Sequence, residues 1–85
     1  MTFSHKKRVY RATCCQWTGH NLPAITDLLH KIGYSEVEVF RDSVMARGAG
    51  RGLLCVHLGS WLRIGEDGRF KVMSSEEFDL KYEEV

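Results

Sequence analysis

Three cysteines and four histidines are the side chains of this 85-residue sequence that open the widest chemistry, since both types ligate metals and act as nucleophile or base. Cys55-x-His57 puts one of each on the same face of an extended segment, because strand side chains alternate with period two. His5, His20 and His30 stand far apart, and no Cys-x-x-Cys or His-x-x-x-His pair accompanies them. Structural zinc needs four closely organised ligands, so no metal is expected and Cys55 is read as a small apolar packing residue. Cys14 and Cys15 are neighbours whose side chains point to opposite faces of a strand, where a mutual disulfide would be strained. With an odd cysteine count, this predicts free thiols and a reducing compartment. Lys7, Arg8 and Arg11 would favour a Cys14 or Cys15 thiolate, yet no histidine stands at a supporting position in sequence. The sequence therefore predicts no catalytic residues and no enzyme.

Basic and aromatic residues offer a second chemistry. Lys6, Lys7, Arg8 and Arg11 form one cationic group, and Arg47 and Arg51, with Arg41 nearby, form another. The second group flanks Gly48-x-Gly50-x-Gly52, but an apolar segment follows where a phosphate loop needs a helix. Open amides beside two guanidiniums still make Arg47 and Arg51 anion candidates. Tyr10, Trp17, Phe40 and Trp61 would supply stacking surfaces for a single strand if exposed. Trp17 and Trp61 each adjoin a glycine-containing turn. If the two turns meet, they frame a shallow pocket with Asn21, Ser60 and Arg69 as polar contacts.

The elements that must position these groups follow from periodicity. Lys7 to Trp17, rich in Val, Tyr, Thr and Cys, reads as a strand. Asn21 is placed as a helix N-cap with Pro23 in the first turn, and Ile25, Leu28, Leu29 and Ile32 make one apolar stripe ended by Gly33. Tyr34 to Arg41 alternates as a half-buried strand with Val37 and Val39 inward, and Val44 to Arg47 continues it after an Asp42-Ser43 turn. Leu53 to Leu58 is expected as a central strand, resumed by Trp61 to Ile64 after Gly59-Ser60. Asp67-Gly68 marks a hairpin returning through Phe70 to Met73, and Ser74-Ser75-Glu76-Glu77 opens a short helix. The expected order is β-α-β-β-β-β-β-α. The fold class is a small single α+β domain over residues 1–85, its antiparallel sheet partly barrel-like in the C-terminal half.

Composition sets the limits of function. At 44% apolar residues the chain holds one compact core, and a net charge of +1 excludes binding by bulk basicity. That balance is uneven: residues 1–51 carry eight basic and four acidic side chains, and residues 52–85 carry four and seven. No run approaches the roughly 18 apolar residues of a membrane span. The stretch from Val9 to Trp17 is broken by Arg11, Thr13 and Gln16, so no signal peptide is expected and the protein is placed in the cytoplasm.

Two segments carry a resemblance. Lys6-Lys7 leads a strand that ends Gln16-Trp17-Thr18-Gly19-His20-Asn21-Leu22; Leu58-Gly59-Ser60-Trp61-Leu62 precedes Asp67-Gly68-Arg69-Phe70, Glu77-Phe78 and Tyr82-Glu83. Together they cover about half the chain and resemble small uncharacterised phage and prophage proteins. Those proteins open with a Lys-Lys-Pro strand and a Gln-Trp-Thr-Gly-Asp-Asn-Leu turn, then carry Pro-Gly-Asp-Trp-Ile, Gly-Glu-Phe-Tyr and Phe-x-x-x-Tyr-Glu. Here His20, Ser60 and Arg69 stand where that pattern has carboxylates.

The resemblance implies a phage or prophage gene product and brings no established activity with it. The leading expectation is a non-enzymatic phage accessory protein that binds a host protein stoichiometrically in the host cytoplasm, as an inhibitor of host defence or host machinery. The alternatives are a protein that sequesters a small molecule or nucleotide, and a single-stranded nucleic-acid-binding module. No cofactor and no membrane partner are expected. A homodimer would give a short chain more buried surface.

Overall fold

The computed structural model describes residues 2–8 and 10–84; Val9, within the strand expected over Lys7 to Trp17, lies outside the described residues. Those residues run through β1 (Thr2–His5), β2 (Arg11–Gln16), α1 (Leu22–Lys31), β3 (Glu36–Phe40), β4 (Ser43–Arg47), β5 (Leu54–Val56), β6 (Trp61–Gly65), β7 (Phe70–Met73), α2 (Ser75–Lys81) and β8 (Tyr82–Glu84). Five strands form one antiparallel sheet in the order β7-β6-β2-β1-β8, and three form a second in the order β3-β4-β5. The α+β class therefore holds, with two strands at the chain ends that periodicity did not foresee.

Those two strands explain the N-terminal correction. Lys6 to Arg8 do not begin a strand; they form the turn of a β1–β2 hairpin, closed by the His5 amide donating to the Tyr10 carbonyl at 2.8 Å. β8 then pairs with β1, Phe3 opposite Glu84 and His5 opposite Tyr82.

The helix over residues 22–31 forms where the apolar stripe places it. Ile25, Leu28, Leu29 and Ile32 are buried, and Gly33 takes φ +98° at the stop. Asn21 occupies the N-cap position but does not cap. Its Oδ1 accepts from the Thr18 amide and hydroxyl, both at 3.0 Å, and its Nδ2 donates to the Gln16 carbonyl at 2.7 Å. α2 starts as the capping pattern predicts, with Ser74 Oγ accepting from the Glu77 amide at 3.2 Å.

The Leu53 to Leu58 segment departs furthest from expectation. Only Leu54–Val56 is strand, and it is an edge of the small sheet, with Leu53 and Leu58 exposed. The Gly59-Ser60 turn ends it, held to β2 by the Trp17 amide on Ser60 O at 2.9 Å and the Gly59 amide on Trp17 O at 2.8 Å. Trp61 to Ile64 therefore enters the large sheet beside β2 instead of resuming the same strand. The C-terminal strands do not curl into a barrel: β7 is an open edge of the large sheet. β3 is also an edge, so Val37 packs inward while Val39 stays 43% exposed.

Both faces of the large sheet are covered, and each has its own core. On one face Leu62 joins Trp17, the α1 stripe, Tyr34 and the inward residues Val44, Ala46 and Val56 of the small sheet. On the other face Phe3, Ala12, Cys14 and Met73 pack with Phe78 of α2 and Tyr82. Cys14 and Cys15 fall on these opposite faces, and all three cysteines are free. Gly48 is a close-packing residue, because a Cβ there would collide with the Gly33 carbonyl.

Candidate anion-binding site

The α2 face of the large sheet is apolar at one end and charged at the other. Alternation along β6 directs Leu62 and Ile64 into the first core and Trp61 and Arg63 to the α2 face. α2 lies over Trp61, whose ring stacks on Phe78 with centroids 3.9 Å apart and planes 4° from parallel. Two residues along, Arg63 emerges beyond the helix into a hollow of about 310 Å³. Tyr10, Tyr82 and His5 line the hollow, and Arg8, Lys71, Lys81 and Arg69 stand around it.

Arg63 is the deepest charge of this group. One of its Nη atoms donates to the Tyr10 hydroxyl, and its guanidinium carbon lies 5.7 Å from the Tyr10 ring centroid. Its Nε is buried with no hydrogen-bond partner among the described residues. The nearby carboxylates are engaged with other cations: Asp67 with Arg69 at 3.6 Å, and Glu77 with both Lys71 and Lys81 at 3.5 Å. Five cations thus share the hollow and its rim with two carboxylates.

The titrating groups register that positive potential. Desolvation, then the charges of Arg8, Lys81, Lys7 and Arg63, hold His5 below its ordinary value of 6.5, so its imidazole is neutral at pH 7. Desolvation pushes the Tyr82 hydroxyl up, with the Arg63 guanidinium pulling the other way. Desolvation also acts to raise Glu77, but Lys71 and Lys81 outweigh it and leave the carboxyl below its usual range. Guanidinium and ammonium donors, two phenols and a neutral imidazole are the groups that suit a polyoxyanion such as phosphate.

The residues singled out from the sequence divide among several places. Arg8 and Arg69, read as members of two separate sites, meet at this hollow. Lys6 is tethered, its Nζ on the Asp79 carbonyl at 2.5 Å, and Lys7 sits exposed in the same turn. Arg11 lies at a separate hollow with Glu66 and Thr2. Arg51 and Arg47 line different hollows. Arg51 lies between the Tyr34 and Phe70 rings at 5.4 and 5.5 Å, beside a hollow of about 410 Å³ at the end of α1. Arg47 is exposed on the small sheet.

The Trp17 and Trp61 turns do not build the pocket expected of them. The turns around Gly19 and Gly59 meet, but the Asn21 side chain and the Ser60 backbone hold the chain together there. Trp17 is 3% exposed and donates from its indole to the Asp42 carbonyl at 2.8 Å. Trp61 is covered by Phe78, and Arg69 lies beyond the other end of the β6–β7 hairpin. Trp17 is closed to stacking, and the half-buried Trp61 already gives one ring face to Phe78.

The sequence offers Tyr10 only as a stacking surface and His5 only as a histidine too isolated for metal, and it does not mark Arg63, Lys71, Lys81 or Tyr82 as site residues. One signal for them was present: Arg63 interrupts an otherwise apolar strand at a position that alternation assigns to a covered face. Among the described residues no group of three His, Cys, Asp or Glu side chains is placed to hold a metal ion, and no helix is long and apolar enough to cross a membrane. No family model, curated protein or solved structure matches the chain.

Proposed function

We propose that this protein acts by stoichiometric binding, capturing a phosphate-bearing small ligand, of the size of a mononucleotide, in the hollow over Arg63. The observation that carries the reading is Arg63 itself: a partly buried guanidinium whose Nε has no partner among the described residues, surrounded by further cations. An excess of cations over carboxylates in a partly desolvated hollow is unfavourable, and an incoming phosphate supplies the missing charge. Tyr10 and Tyr82 orient the ligand through their hydroxyls, while Arg8, Lys71 and Lys81 neutralise its remaining oxygens.

Titration calorimetry with inorganic phosphate, AMP and cyclic mononucleotides tests this. Arg63→Met should weaken binding roughly 10- to 100-fold, the worth of one charged hydrogen-bond pair. Binding unaffected by Arg63→Met would remove the reading. Oligonucleotides discriminate the single-strand alternative: affinity that rises with length and falls steeply with salt belongs to a backbone tracker rather than a mononucleotide pocket.

A second reading is a phage accessory protein whose target is a host protein. Its support is the exposed apolar set on the small sheet and its flanks, where Phe40 is 57%, Leu53 56% and Leu58 52% exposed. Capture of one host protein from lysate by the wild-type chain, lost in Phe40→Asp with Leu58→Asp, would favour it. Capture unchanged by those substitutions would count against that surface.

A further inference from the structure

Three thiols occupy three different surroundings. Cys14 is buried under α2, and desolvation pushes its thiol up to about 11. Cys15 lies on the opposite face of the same strand, its sulfur 3.5 Å from Asn21 Nδ2, and desolvation raises it too. Cys55 is in the other sheet and, contrary to its expected role as packing residue, belongs to neither core. Alternation along β5 sends Leu54 and Val56 inward and leaves Cys55 and His57 on the outer face.

That outer face assembles a relay from two strands. Cys55 Sγ lies 3.9 Å from His57 Nε2, and His57 Nδ1 lies 3.0 Å from Ser43 Oγ. Ser43 reaches the ring because Val44 pairs with Val56, which sets residues 43 and 57 side by side. With Nδ1–H donating to the serine oxygen, the Nε2 lone pair faces the thiol. Thiol, imidazole and hydroxyl then follow the order that activates a nucleophile. The surrounding outward positions Glu38, Phe40 and Arg47 are exposed, and Cys55 is half-buried beside its cross-strand partner Met45, so the sulfur is partly accessible from this face.

We propose that Cys55 is a thiol–disulfide exchange site that captures low-molecular-weight disulfides, with His57 as its base. The Cys55 S–H proton passes to His57 Nε2, and the thiolate attacks one sulfur of the incoming disulfide. That S–S bond breaks as the new one forms, and the released thiolate takes the proton back from the imidazolium. The Cys55 sulfur is oxidised and the departing sulfur reduced, so the incoming disulfide is the only oxidant. Exchange needs only a thiolate and a clear line of attack. Cys14 and Cys15 lie in the other sheet, so neither resolves the mixed disulfide, which persists until an external thiol removes it.

The experiment uses the reduced full chain with glutathione disulfide, read by intact mass and peptide mapping. One adduct is expected, on Cys55 and absent in Cys55→Ser. His57→Gln should form it about tenfold more slowly, since exchange rates follow the thiolate fraction. Thermal unfolding of both exposed-face variants should match wild type, separating chemistry from folding. An adduct placed first on Cys14 or Cys15, or a His57→Gln rate equal to wild type, would overturn the proposal. The site is remote from the Arg63 hollow, and its outcome is independent of phosphate binding.

Discussion

His5 answers to the same surroundings as Arg63. Desolvation first, and then the neighbouring cations, disfavour the charged imidazole, so it loses its proton to solvent more readily than a free histidine. Because the folded His5 value lies below 6.5, the unfolded chain takes up this proton first on acidification. The associated stability is complete above about pH 6.5 and is lost as pH falls from there through the lower folded value. His5→Asn should therefore flatten the fall in unfolding midpoint just below neutrality, as followed by thermal melts across pH. Phosphate in the hollow should raise the His5 value, read as an upward shift in its imidazole NMR titration. An unchanged titration with saturating phosphate would place the anion elsewhere. The residues of this site were only partly legible in sequence. A charge inside the apolar run Trp61 to Ile64 marks a special position, but alternation cannot say what gathers around it. Tyr82 and Lys81 arrive at the C-terminal end of α2, where the chain turns into a strand too short and acidic to read.

At the scale of elements, positions set by local chemistry were readable and those set by pairing partners were not. The α1 stripe and the Ser74 cap depend on neighbours within a few residues, and both appear where the sequence puts them. Ser74→Ala should lower stability by about 1 kcal/mol, the usual worth of an N-cap, measured by urea unfolding. β1, β5 and β8 depend on what lies beside them. Thr2–His5 and Tyr82–Glu84 are strands because they pair with each other, and Leu54–Val56 is an edge because Gly59-Ser60 turns the chain away. One glycine links an element directly to the site. A Cβ at Gly65 of β6 would strike the Tyr10 hydroxyl and sit 2.9 Å from Asp67 Oδ1. Gly65→Ala should cost about 1–3 kcal/mol through overpacking and weaken phosphate binding by driving Tyr10 from Arg63. Calorimetry and urea unfolding on one sample read both effects.

The whole molecule is a five-stranded sheet with a core on each face, an arrangement that sequence periodicity could not distinguish from a single barrel-like core. The α2 side is the thinner one, held chiefly by Phe78 against Trp61 and Phe3, the Phe3 ring 4.9 Å away edge-on. Phe78→Ala should cost about 3–5 kcal/mol, as truncation of a buried aromatic does. Cys14 lies beneath that cover, so the same variant should let iodoacetamide reach a thiol that the wild type protects. Protection of Cys14 retained in Phe78→Ala would mean that α2 is not what shields it.

The two indoles are divided between the two cores, Trp17 on the α1 side and Trp61 under Phe78. Each side of the sheet thus carries its own optical reporter. Trp17→Phe leaves an emission spectrum that follows the departure of α2, and Trp61→Phe leaves one that follows the α1 side. Comparing the two melts would reveal whether the sheet releases both layers at one temperature or sheds the thinner one first.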